Sequence, residues 1–190
     1  MSNLAYSDDY NYEILNGKIV YMSPRPTVNH NIVCNNIHTI FRNFLKGKTC
    51  KAFGDGIDVF LTDKDRVIPD VMIICDRSII KPNGIYGVPN LIVEVLSPGT
   101  AKNDKGYKKD LYEQSGVQEY WIVDIQNRLV EVYILEENRY VLNNVYSVYP
   151  DYVVEMMNEK EKSEIITDFT TSLYGEELKI ALEDIFYDLI

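Results

Sequence analysis

The feature that most limits what this chain can fold into is a set of three short apolar runs: VIPDVMII (67–74), LIVEVLS (91–97) and EYWIVD (119–124). They read as strands buried on both faces, and such strands need helices packed over the sheet they form. Residues between the runs supply candidates. From about Thr27 to Lys46, Ile32, Val33, Ile37, Ile40, Phe41, Phe44 and Leu45 recur at helical spacing, and Gly47 is suited to end that helix. Residues 103–115 read as a second helix, closed by Gly116.

Around this frame, Tyr12–Tyr21 reads as a hairpin turned by Asn16-Gly17, with Pro24 and Pro26 breaking the strand beyond it. A strand-like run over 51–61 is bent at Gly54 and Gly56, and Pro69 implies an edge or a bulge in 67–75. A further hairpin is expected over 128–135 and 139–146. Residues 149–162 are weakly patterned, and 178–189 reads as an acidic terminal helix. The order is hairpin, helix, three strands, helix, strand and further strands. It predicts an α/β mixed sheet flanked by helices in a single domain of 1–190, with a core at about 12–146 and an acidic C-terminal elaboration at 147–190.

A chain of 190 residues can bury a full core without disulfides. Cys34, Cys50 and Cys75 are odd in number and lack CxxC spacing, so they are expected as buried thiols in a reducing compartment. No apolar run approaches the ~18 residues of a membrane span. The first twenty residues lack the pattern of a secretory signal, which predicts a cytoplasmic location. The net charge of −10 opposes the approach of a polyanion. Two lysine groups could still meet phosphates locally: Lys46, Lys48 and Lys51, and Lys102, Lys105, Lys108 and Lys109.

Asp70 and Glu94 each interrupt an apolar strand, where a carboxylate is costly unless it is paired or holds a cation. Brought together on adjacent strands, they would repel by roughly 4 kcal/mol at 4 Å and a dielectric of 20. A bound Mg²⁺ relieves both costs. Asp104, Lys108 and Tyr112 follow at i, i+4, i+8 on one helix face, where a lysine could orient an attacking water or offset phosphate charge. Glu13, beside the Asn-Gly turn, could complete such a site or simply lie on a surface strand. His30, Cys34 and His38 form a stripe on the first helix, but no second cluster exists to close a zinc site.

The strings YEILNGKIV, IPDV, LIVEVLSPGT and D-x3-K-x3-Y-x3-GVQEYWIVD resemble the Uma-two family of restriction endonucleases, in order from about Tyr12 to Tyr140. The resemblance implies a restriction-endonuclease-like PD-(D/E)XK core behind an N-terminal hairpin. It implies Asp70 and Glu94 as metal carboxylates, with the carbonyl of Val95 as a further ligand of Mg²⁺ or Mn²⁺. Leu96 stands where the common motif of this class has lysine, and Lys108 on the next helix is implied as its replacement. Glu13 matches an acidic position of the family and His30 a histidine near the first helix; Asp104 and Tyr112 are accessory. The implied activity is hydrolysis of DNA phosphodiesters, with a homodimer suited to cutting both strands. The competing expectation is a non-catalytic binding or interaction module on the same fold.

Overall fold

The computed structural model describes residues 12–22 and 26–190; the expectations for the N-terminal eleven residues and for Pro24 lie outside the described residues. In chain order the elements are β1 (Tyr12–Leu15), β2 (Lys18–Tyr21), α1 (Val28–Phe44), β3 (Lys51–Gly54), β4 (Val59–Thr62), β5 (Asp65–Val67), β6 (Val71–Ile74), β7 (Ile80–Lys81), β8 (Gly84–Tyr86) and β9 (Leu91–Val95). There follow α2 (Ala101–Lys105), α3 (Tyr107–Ser115), β10 (Glu119–Asp124), β11 (Leu129–Glu136), β12 (Arg139–Ser147), α4 (Asp151–Met156), α5 (Glu159–Ser163), β13 (Asp168–Thr171), β14 (Gly175–Ala181) and α6 (Leu182–Ile185).

Among the described residues, the central sheet has the order β12-β11-β10-β9-β6-β3. Only β9 and β10 run parallel in it; the other pairs are antiparallel. A parallel neighbour cannot be reached by a tight turn, and α2 and α3 provide the crossover. The sheet is therefore mixed and flanked by helices, as expected. On one face, Val71, Ile73, Leu91, Val93 and Val95 pack with Val33, Ile37 and Phe41 of α1. On the other, Met72, Ile74 and Ile92 pack with Leu111 and Tyr112 of α3 and with Leu15, Val59, Val67 and Ile85. Those last four come from a second sheet of order β2-β1-β5-β4-β8-β7.

The β1–β2 hairpin has the predicted register, Leu15 opposite Lys18. Asn16 and Gly17 adopt φ of 51° and 74°, the paired positive values such a two-residue turn requires. Helix α1 begins where Thr27 Oγ1 accepts the His30 amide hydrogen at 3.2 Å.

Several expectations need correction. The run 51–61 is two strands in different sheets, because the Gly54-Asp55-Gly56 turn carries the chain from the central sheet to the second one. Pro69 lies between β5 and β6, where the chain crosses back, and β6 is an interior strand. The predicted helix at 103–115 begins earlier and is interrupted at Gly106, where a Cβ would come within 2.8 Å of the Lys102 carbonyl oxygen. Residues 178–181 belong to β14, since Leu178 and Ile180 are buried in alternation, and only Leu182–Ile185 are helical. Cys50 and Cys75 are joined in a disulfide, against the expectation of thiols, and Cys34 alone is a free buried thiol. The two flank the register pair Lys51–Ile74 of antiparallel β3 and β6, so they face each other across the sheet although 25 residues apart in sequence. The cysteine argument for a reducing compartment falls with that pairing. Among the described residues no helix is long and apolar enough to cross a membrane.

The C-terminal region is part of the core. Phe169, Leu178, Ile180, Leu182, Ile185 and Phe186 join the same apolar cluster as α1.

Candidate active site

The site forms at the C-terminal end of β9. Strand alternation sends Val93 and Val95 toward α1 and sends Ile92 and Glu94 toward α3. Glu94 is thus an acid on a buried face, only 3% exposed. Antiparallel β6 lies beside β9 with Val71 opposite Val93, which brings Asp70 to the same end of the sheet. Asp70, the residue before β6, thus stands beside Glu94 at the ends of two adjacent strands. Asp70 Oδ2 accepts the Val95 amide hydrogen at 2.7 Å, so its carboxylate is pinned to the residue after Glu94.

Helix α3 brings the cation. Lys108 Nζ stands 2.7 Å from Glu94 Oε1, 3.1 Å from Glu13 Oε1 and 3.3 Å from Asp104 Oδ1. All four side chains are buried. The i, i+4, i+8 face survives the interruption at Gly106, because the Tyr112 hydroxyl donates to Glu94 Oε1 at 2.6 Å. Glu13 arrives from the hairpin and also accepts the Ile68 amide hydrogen at 2.9 Å. Leu96 is half-buried in the apolar layer on the α3 side, while Lys108 reaches Glu94 from the helix.

The electrostatics follow from this packing. Burial acts to lower the Lys108 pKa, but Glu94, with Tyr112, Glu13 and Asp104 after it, holds the ammonium well above its ordinary value. Glu94 is pushed well up, first by burial; Lys108 opposes this, and Asp104, Asp70 and Glu13 add to it. Asp104 is raised too, chiefly by burial and against the pull of Lys108. Three buried carboxylates share one ammonium, and an uncompensated buried ion costs several kcal/mol. Neither Asp104 oxygen accepts a well-formed hydrogen bond. An excess of buried negative charge, rich in oxygen donors, is the chemistry that suits a hard divalent cation.

A second group meets at the same strand end. His30 Nε2 lies 3.0 Å from the Val95 carbonyl oxygen and 3.4 Å from Asp70 Oδ2, and Cys34 Sγ lies 3.5 Å from His30 Nδ1. Burial would lower the His30 pKa, but the hydrogen bond and charge of Asp70, with the Val95 carbonyl, raise it. Burial also raises the Cys34 pKa, so this thiol stays protonated. His30, Cys34 and Asp70 offer ligand atoms within 4.8 Å of one another. His38 stands apart from them, against Gly54 at the end of β3.

The structure therefore gathers Glu13, Asp104 and Tyr112 about the Lys108–Glu94 pair, with Asp70, Val95 and His30 in contact with one another at the same strand end. Sequence reasoning missed Asp55, which is exposed on the turn after β3 yet near enough for Asp70, His30 and Lys108 to act on its carboxyl. Its signal was an acid set between two glycines. The sequence reading also passed over Glu119, wholly buried beneath the C-terminal hairpin.

Comparisons with known proteins bear on the family and the fold. A crystal structure described as a "putative nuclease belonging to DUF820" from Anabaena variabilis superimposes with a TM-score of 0.69 and 18% identity, covering 92% of this chain and 89% of that one. Likeness at that identity establishes the mixed α/β, restriction-endonuclease-like fold. An uncharacterized protein of Synechocystis sp. is 29% identical over 124 residues, or 64% of this chain; the match spans 65% of that relative's length, just short of two thirds. The family model described as "Putative restriction endonuclease" matches residues 3–151, which include every residue of the site just described. The chain belongs to the Uma2 family.

Proposed function

We propose that this chain is a nuclease that hydrolyses DNA phosphodiester bonds with the help of a divalent cation. The observation that carries the reading is the buried Lys108 ammonium, 2.7 Å from Glu94 at the strand end where Asp70 is pinned to the Val95 amide. Asp70, Glu94 and the Val95 carbonyl would hold Mg²⁺ or Mn²⁺; carboxylate and carbonyl oxygens suit both ions. The cation supplies charge neutralisation at the scissile phosphate and an acidified water. Lys108 presents its ammonium to the attacking water and to the phosphate as its charge grows. Glu13 and Asp104 fix that ammonium from two further directions, and Tyr112 fixes Glu94. One centre cuts one strand, so a homodimer would cut both.

The competing reading is a non-catalytic binding module, favoured by the net charge of −10. Nearby lysines are already engaged: Lys105 pairs with Glu131 at 2.7 Å, and Lys109 lies 3.7 Å over the Tyr133 ring. The test incubates purified protein with supercoiled plasmid and with single-stranded DNA in Mg²⁺, Mn²⁺ or EDTA, beside Asp70→Ala and Lys108→Ala. Cleavage that requires metal and disappears in both variants supports the nuclease. A folded protein that cuts neither substrate in either metal supports the binding module.

A further inference from the structure

We infer that His30 is a direct ligand of the cation, making the centre a mixed nitrogen–oxygen site that prefers a transition-series dication to Mg²⁺. The inference deepens the nuclease reading and rests on it, because it concerns the same cation. It begins from where the imidazole points. His30 Nε2 stands 3.0 Å from the Val95 carbonyl oxygen and 3.4 Å from Asp70 Oδ2. Those two oxygens belong to the proposed ligand set. One nitrogen therefore faces the point on which both oxygens converge.

A carbonyl oxygen can only accept a hydrogen bond, so Nε2 carries a proton while it faces Val95. The N–H thus fills the position that a cation between Val95 and Asp70 would take. When a cation takes that position, the neutral ring changes tautomer: the Nε2 proton leaves to solvent, Nδ1 takes one up from solvent, and the Nε2 lone pair faces the same point. The ring is already held for this. Cys34, one helical turn on, sets its sulfur 3.5 Å from Nδ1, where it can accept the Nδ1 hydrogen and fix the tautomer that leaves Nε2 free. His30 is itself anchored, since its amide hydrogen caps onto Thr27 at the start of α1. Magnesium seldom takes nitrogen, whereas imidazole suits the transition-series ions.

The chain has two histidines, His30 and His38, which makes a nitrogen signal assignable. Untagged protein is loaded with Mn²⁺ and examined by pulsed electron paramagnetic resonance for ¹⁴N coupling, beside His30→Gln and His38→Gln. The expected result is histidine nitrogen coupling in the wild type and in His38→Gln, and its loss in His30→Gln. Titration should show Mn²⁺ affinity falling about tenfold or more in His30→Gln, with Mg²⁺ affinity far less changed. Bound Mn²⁺ without nitrogen coupling in the wild type overturns the inference and leaves the nuclease reading intact. No Mn²⁺ binding at all overturns the inference and removes the metal from the nuclease reading as well. The wild-type spectrum decides the matter even if His30→Gln does not fold.

Discussion

One ammonium, that of Lys108, answers Glu94, Glu13 and Asp104 within 3.3 Å, and nothing polar about the group is left in open water. Lys108→Met should lower stability by about 3–5 kcal/mol in urea unfolding with EDTA, because it strands buried carboxylates. The deficit should shrink as pH falls and the raised Glu94 and Asp104 groups take protons. A loss no larger at neutral than at acidic pH would contradict that charge balance. Glu119 offers a cleaner titration away from this cluster. Its Oε1 accepts the Trp121 indole hydrogen at 2.6 Å, and its Oε2 accepts the Ser172 amide and hydroxyl hydrogens at 2.7 and 2.6 Å. Burial nevertheless raises its pKa, with Ser172 and Trp121 acting against the rise. The folded state therefore favours protonated Glu119. That contribution is complete below the ordinary glutamate pKa and is lost as pH rises through the raised value. Glu119→Gln should cost about 1–3 kcal/mol in acid through its mismatched donor, and the two stability curves should converge as pH rises. Curves that stay parallel across the acid range would contradict the raised pKa. Glu94 and Asp70 were legible because each broke an apolar strand. Glu119 was not, since it stands at a strand end and its partner Ser172 is 53 residues away.

Among the elements, the α2–α3 pair matters most, since it is the crossover between β9 and β10 and also the carrier of Lys108. Gly106→Ala would press a Cβ against the Lys102 carbonyl at 2.8 Å and turn α3 relative to α2. It should cost about 1–3 kcal/mol in thermal unfolding and weaken any cleavage by displacing the lysine. Unchanged stability and activity would mean the junction has room to relax. The β3–β6 pairing is clamped by Cys50–Cys75 across 25 residues. Reduction should lower stability by about 3 kcal/mol, and a Cys50→Ala/Cys75→Ala variant should not respond to reductant. Equal stability with and without reductant in the wild type would count against the clamp. Helical spacing identified α1, apolar runs identified β9 and β10, and the Asn16-Gly17 turn identified the first hairpin. None of these signals could show that 51–61 divides between two sheets, because Gly54 and Gly56 permit a turn without stating where the chain goes next. The same limit hid the disulfide, which depends on the register of strands that are neighbours only in the folded protein.

Taken as one body, the molecule covers the α1 face of its central sheet with its own C-terminal region. Composition marked residues 147–190 as an acidic C-terminal elaboration. Their apolar members are spaced two apart in β14 and then one helical turn apart in α6, a change of period that a helix-only reading missed. Removal of these residues would uncover Trp121 and Tyr146, both of which pack on Phe169, and the truncated chain should lose its cooperative unfolding transition. Most of the net charge of −10 lies in residues 151–190, and the proposed centre is acidic too, so a divalent cation is the bridge through which a phosphate could approach. The decisive measurement is metal-dependent cleavage of plasmid DNA by the wild type and by Glu94→Gln, a change that keeps side-chain size and an oxygen for Tyr112. The wild type should cut in Mg²⁺ or Mn²⁺ and not in EDTA, with Glu94→Gln folded and slower by about a hundredfold or more. Equal cleavage by the two proteins would remove Glu94 from the centre, and no cleavage by a folded, metal-loaded wild type would contradict the nuclease itself.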